Sequence, residues 1–351
     1  MTQIDPARQP AAELTHLELA GVAEVMTAAG VEVDGALHAS LITGGRSNLT
    51  FRLSDDSSRW VLRTPPRAGR TPSAHDVGRE FRVTRALGAL GVPVPPAVVL
   101  CQDESVIGAP FAVAGFVDGR TVQTRADLDL LDDTTVHECV DRMVEALAGL
   151  HAVDHVSAGL ERFGRPYGYS GRQVARWSSQ WELVGTPGLD RAAAEVAELL
   201  SAAVPEQRSV GIVHGDFRID NTILRLDGRV RLAAIVDWEL STIGDPVADV
   251  ALMCVYRHPA LDLVLGAPSA WTSDRLPAPD ELAAKYEAAG GVELAAWEFH
   301  LALGYFKLAV IAAGIDHRFR AGATHGSGFD SAGDAVGPLL EAGRALVSKG
   351  R

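Results

Sequence analysis

The spacing of apolar and polar residues changes several times along this chain, and each change marks an element. Residues 1–14 carry no period and read as a loose tail. Thr15 has the hydroxyl of a good N-cap, and a helix is expected from there to about Ala29, stopped by Gly30. The period then falls toward two. Strands are expected at Ala36–Ile42, Leu49–Leu53 and Trp60–Arg63, with Ser54–Ser58 as a polar turn. Beyond a Pro/Gly-rich loop, Ser73 reads as an N-cap with Asp76 three residues on. Glu80, Phe81, Val83, Leu87 and Leu90 continue that helix until Gly91. Two further strands are expected at Ala97–Cys101 and Phe111–Val117. After Asp118-Gly119 apolar residues recur every three to four positions, in Val136–Leu150 and Ala192–Leu200. Strands return at Val210–His214, Thr222–Leu226 and Val230–Val236, and from Pro246 the pattern is mostly helical.

This order predicts an α+β molecule with two lobes. Residues 1–35 form a tail and helix, residues 36–118 a small sheet lobe with one main helix, and residues 119–351 a larger, mostly helical lobe. A chain of 351 residues suits two lobes better than one small core. The net charge of −13 makes nucleic acid and anionic lipid poor partners. Cys101, Cys139 and Cys254 form no CxxC pair and read as buried small side chains in a reducing, cytoplasmic setting. The first residues lack the apolar core of a secretion signal. The most apolar stretch, Leu301–Ile315, is broken by Lys307 and reads as a core helix, not a membrane span. Lysine occurs only at 285, 307 and 349.

The chemistry concentrates in VHGDFRIDNTIL, from Val213 to Leu224, and IVDWE, from Ile235 to Glu239. His214 ends one expected strand, Asp216 sits in the following loop, and Asn221 comes five residues later. Asp237 ends another strand, sixteen residues beyond Asn221. Phosphoryl transfer needs hard oxygen ligands for Mg²⁺, charge neutralisation at the phosphates and a hydroxyl aimed in line. An Asn oxygen and one carboxylate suit the metal, and a second carboxylate can accept the hydroxyl proton. Turn residues joining strands give a similar composition, but not this conjunction.

HGDFRIDN and DWE resemble the motifs of the aminoglycoside phosphotransferase and choline kinase family, relatives of the protein kinases, over residues 36 to 310 or so. The resemblance implies a two-lobed protein-kinase-like fold and the cofactors ATP and Mg²⁺. By it, Asp216 is the catalytic base and Asn221 and Asp237 are metal ligands. His214 packs beneath the loop. Asp249, one turn into the helix after Asp245-Pro246, supports the loop, although a solvated helix face is an equal reading. Arg218 either meets phosphate or substrate or lies on the surface, and Asp220 is expected in solvent.

ITGGRSNLTFRL occupies the place of the phosphate-covering loop, so Gly44, Gly45, Ser47 and Asn48 are nucleotide-binding candidates. Protein kinases use a lysine on the third strand. Here WVLRTPP puts Arg63 there, with Glu80 as its expected partner. The connector FAVAGFVDG would cradle adenine through the Gly115 carbonyl and the Val117 N–H. GGRSN, WVLRTPP, SAHDVGREFRVTRAL and ESVIGAPF look most like phosphotransferase domains resembling those fused to acyl-CoA dehydrogenase-like proteins. That implies a hydroxyacyl acceptor. An aminoglycoside or macrolide acceptor is one alternative and a nucleotide-binding scaffold without catalysis another. The expected partner is a small hydroxylated molecule. The oligomeric state is open. Tyr167, Tyr169, Trp177, Trp181 and Trp271 either line an acceptor pocket or fill the core.

Overall fold

The structure, a computed structural model, describes residues 13–42, 48–66, 76–322 and 329–349. It is two-lobed and α+β. Residues 1–118 together with Asp237–Glu239 form one compact unit, and residues 119–236 with 240–351 form the other.

The first unit holds α1 (His16–Ala28), β1 (His38–Leu41), β2 (Leu49–Ser54), β3 (Arg59–Thr64), α2 (Val77–Ala89), β4 (Ala97–Cys101) and β5 (Phe111–Gly115). The strands make one antiparallel sheet in the order β1-β2-β3-β5-β4. Alternation along β3 buries Trp60 and Leu62 on one face, where they join Phe51, Leu53, Phe111 and Val113. Val22 and Met26 of α1 close over this cluster. Arg63 is out of phase with Trp60 and Leu62, so it points to the face that carries α2.

Thr15 caps α1 in a reciprocal box with Glu18. The cap of α2 differs from the expectation. Asp76 is the N-cap, accepting from the Arg79 N–H at 2.9 Å, and the expected cap Ser73 lies outside the described residues. Asp caps as well as Ser, and the one placed directly before Val77 takes the position. Strand β5 stops at Gly115, two residues short of expectation.

The second unit holds α3 (Arg125–Asp129), α4 (Asp133–His151), α5 (Tyr169–Val184), α6 (Asp190–Ala202), β6 (Gly211–Val213), β7 (Thr222–Arg225), β8 (Arg231–Ile235), β9 (Thr242–Gly244), α7 (Pro246–Val255), α8 (Ala260–Leu265), α9 (Pro279–Ala288), α10 (Trp297–Arg320) and α11 (Ala332–Lys349). Two short antiparallel ribbons, β6-β9 and β7-β8, frame the loop between β6 and β7. Helix α10 packs against α5, α7 and α11. It runs 24 residues and is long and apolar enough to cross a membrane. However, 72% of its most apolar window is buried inside the protein, as in a core helix. All three cysteines are buried and free.

Candidate active site

Each unit carries a cluster of charged residues around one of the motif segments. In the second unit the cluster is the β6–β7 loop. Gly215 adopts φ +84°, and a Cβ there would meet the Leu240 carbonyl oxygen at 2.8 Å. Only glycine fits this left-handed turn, which accounts for the residue between His214 and Asp216. The buried Asp249 carboxylate accepts from the His214 N–H at 2.6 Å and the Gly215 N–H at 2.8 Å. Asp249 therefore does not lie on a solvated face. His151 contacts the same carboxylate at 3.3 Å, and its other ring nitrogen meets the Tyr286 hydroxyl at 2.8 Å. His214 accepts at Nδ1 from the Asp216 N–H at 3.3 Å, so its Nε2 carries the proton that it donates to the Val236 carbonyl at 3.0 Å.

Asp216 is held from two sides. Arg218 donates to Oδ2 at 3.3 Å and Asn221 Nδ2 donates to the same oxygen at 3.0 Å. Burial works to raise the Asp216 carboxyl, but Arg218, the Tyr256 hydroxyl, His214 and Lys307 together hold it below the usual aspartate value. Asn221 Nδ2 also donates to the Asp216 carbonyl at 2.7 Å. With the amide nitrogen committed this way, its Oδ1 branch is the one left to face a cation. Arg218 is buried, not superficial. It pairs with Asp216 and Asp220 and lies over the Tyr256 ring at 5.1 Å. Asp220 is accordingly an ion-pair partner at 3.2 Å and not a solvent-facing loop carboxylate.

In the first unit Arg63 is the centre. Its guanidinium meets Glu80 at 3.1 Å through one nitrogen and Asp237 at 3.1 Å through the other. Asn48 donates to Glu80 Oε1 at 3.1 Å. Burial, aided by the charges of Asp237 and Glu239, outweighs Arg63 and pushes the Glu80 carboxyl up to about 7. Asp237 takes φ +67°, a left-handed backbone uncommon for a residue with a side chain. The Gly115 N–H is committed to the Pro96 carbonyl at 2.8 Å, and Val117 lies beyond the end of β5. Gly44, Gly45 and Ser47 lie outside the described residues.

Among the described residues, no three His, Cys, Asp or Glu side chains are grouped to cage a metal. The chemistry of Asp237 and Asn221 fits Mg²⁺, a hard ion that takes one or two protein oxygens and the rest from phosphate and water. Of the aromatic candidates, Trp271 is core, its Nε1 donating to the Met253 carbonyl at 3.0 Å, and Trp181 is buried with its Nε1 on Asp190. Tyr167 is exposed. Tyr169 and Trp177 line a cavity of about 20 Å³ beside Gly215, together with His300 and Lys307. Lys307 donates to the Gly215 carbonyl at 3.1 Å, and Arg176 lies on the exposed side of the Trp177 ring. The scarcity of lysine is the one sequence signal for Lys307, and nothing local marks Arg176, since α5 and α10 lie far from the motif loop in the chain.

Residues 38–300 match the model of the phosphotransferase enzyme family. The chain is 33% identical to human acyl-CoA dehydrogenase family member 11 over 91% of its own length and 41% of that protein. It thus spans about two fifths of that relative. Viomycin phosphotransferase of Streptomyces vinaceus is 30% identical over 54% of this chain and 63% of that protein. A Ralstonia eutropha structure provisionally assigned as an aminoglycoside phosphotransferase superposes with TM-score 0.80 and 29% identity, covering 94% of this chain and 98% of the other.

Proposed function

We propose that this chain, which belongs to the phosphotransferase enzyme family, transfers the γ-phosphate of ATP to a hydroxyl of a small molecule with Asp216 as base. The observation that carries this is the fixed Asp216 carboxylate, which accepts from both Asn221 and Arg218 in a loop whose backbone is tied to Asp249. A carboxylate so held is ionised and aimed. It can orient the acceptor hydroxyl and take its proton late, when the phosphoryl group is already departing.

In this reading Asn221 Oδ1 and the Asp237 carboxylate hold Mg²⁺, which would neutralise phosphate charge when bound with the nucleotide. Support for using them together comes from the chain itself. The Val236 N–H donates to the Asn221 carbonyl at 2.9 Å, and Asp237 is the next residue. Arg63, held by Glu80, takes the phosphate-binding task of the lysine that the sequence lacks. Gly44, Gly45 and Ser47, outside the described residues, and Asn48 are the candidates for the phosphates, and Gly115 and Val117 for the adenine edge. Asp249 and His214 support the loop.

The acceptor in this reading is a hydroxylated acyl compound, in keeping with the relation to acyl-CoA dehydrogenase family member 11. An antibiotic acceptor is the second reading, favoured by the likeness to viomycin phosphotransferase. The free, buried cysteines suit a reducing compartment such as the cytoplasm. The test is ADP release from MgATP across a panel of hydroxylated acids, hydroxyacyl-CoAs and aminoglycosides. Turnover that vanishes in Asp216→Asn is expected. Undiminished turnover in that variant would remove Asp216 from the chemistry.

A further inference from the structure

Two cations of the second unit meet on one indole ring. Lys307 on α10 donates to the Gly215 carbonyl at 3.1 Å, and its ammonium lies 5.8 Å from the centre of the Trp177 ring. Arg176 on α5 lies 5.1 Å from the same ring. Among the described residues neither forms an ion pair, whereas Arg59, Arg63, Arg125, Arg218 and Arg275 all do. In a chain of net charge −13, two cations gathered on one indole, Arg176 exposed and Lys307 half-buried, are a local concentration of positive charge. The cavity that Lys307 and Trp177 line, with Arg176 on the exposed side of the same ring, adds a second observation. His300 is 2% exposed and lines it, and its Nδ1 has no hydrogen-bond partner. Gly215, whose carbonyl Lys307 touches, immediately precedes Asp216.

We propose that Lys307 and Arg176, set against Trp177, receive the oxyanion of an acidic acceptor, a carboxylate or a phosphate, next to the hydroxyl that Asp216 orients. This rests on the phosphotransferase reading above and narrows its acceptor. Burial depresses the Lys307 ammonium to about 8 against the attraction of Asp216 and Asp249, with Arg176 adding repulsion. That is the condition of a cation short of negative charge, and an arriving anion relieves it. Arg176 and Lys307 repel a polycationic aminoglycoside, so the site discriminates between the two acceptor readings. Tyr169 and His300, which also line the cavity, add no negative charge, and the Asp249 carboxylate that lines it is committed to the His214 and Gly215 N–H groups and to His151.

The experiment is calorimetric binding of 3-hydroxybutyrate, 3-hydroxybutyramide and 3-hydroxybutyryl-CoA to the full chain, in the wild type, Lys307→Met, Lys307→Arg and Arg176→Met. Preference for an anionic probe over the amide by tenfold or more is expected. It should collapse in Lys307→Met, fall in Arg176→Met and persist in Lys307→Arg. Tight binding of the free acid points to a carboxylate, and tight binding of the thioester alone points to the phosphates of CoA. Equal binding of acid, thioester and amide by the wild type, including no binding of any, overturns the proposal. So does an equal loss of all probes in Lys307→Met, which would make the lysine a clamp on the Gly215 carbonyl. Binding needs no phosphoryl transfer. Anion selectivity without ADP release would sink the phosphotransferase roles and leave the anion site. Asp216-dependent transfer to neutral or cationic acceptors would do the reverse.

Discussion

The two charged clusters solve opposite problems. Around Asp216 the protein supplies its own compensation: Arg218 and Asn221 take the carboxylate, Asp249 takes the loop N–H groups, and His151 backs Asp249. Around Arg63 it does not. One guanidinium faces Glu80 and Asp237 with Glu239 nearby, and the result is a Glu80 carboxyl raised to about 7. The first arrangement fixes its carboxylate through groups of the chain itself. The second carries surplus negative charge, which suits a place where a divalent cation and a nucleotide are to be received together.

That contrast predicts effects of different kinds. The largest belongs to Asp216→Asn, which keeps the side-chain shape but removes the carboxylate charge and, in the proposed reading, the base. The turnover number should drop by about 10²–10⁴-fold, measured by ADP release, with some loss of melting temperature because buried Arg218 keeps only Asp220 as a counter-ion. Asp249→Ala comes next and should act on both stability and rate. It leaves the His214 and Gly215 N–H groups buried without an acceptor, at a cost of about 1–3 kcal/mol for each, read by denaturant titration. A loss below about 1 kcal/mol would show that the loop is held by something else.

In the other cluster the effects should fall on nucleotide affinity. Arg63→Met should weaken MgATP binding by about tenfold or more, the equivalent of one lost charge-assisted hydrogen bond, with Arg63→Lys intermediate. The smallest effect is a pH dependence. Glu80 has a folded-state value of about 7 against an ordinary 4.5, so between those limits the folded chain holds a proton that the unfolded chain has released. Stability should therefore fall as pH rises from about 4.5 to about 7. Glu80→Gln should flatten that segment of the profile. A slope of the opposite sign would mean that Arg63 dominates the pair.

Much of this was legible in the residues, for physical reasons. Strand and helix periods marked the sheet unit because its strands alternate buried and exposed positions, as in β3. The spacing of Asp216, Asn221 and Asp237 was informative because a tight loop after a strand is local in sequence. The Arg63–Glu80 pair was anticipated from the lack of any earlier lysine. Helix α5 escaped notice because it buries only Ser170, Val174 and Trp181, too narrow a stripe to set a period. The burial of Arg218, the left-handed backbone of Asp237 and the meeting of Arg176, Trp177 and Lys307 are tertiary facts. They arise from segments up to 131 residues apart, counting from Arg176 to Lys307, and no local pattern records them.

The most direct test is a double-mutant cycle on the affinity for a non-hydrolysable ATP analogue with Mg²⁺, using Asn221→Ala, Asp237→Ala and the pair. If both side chains serve one metal-bound nucleotide, each single change removes most of the Mg²⁺-dependent binding and the double change adds little more. Two losses that simply add, or a Mg²⁺ dependence that survives both, would contradict the account.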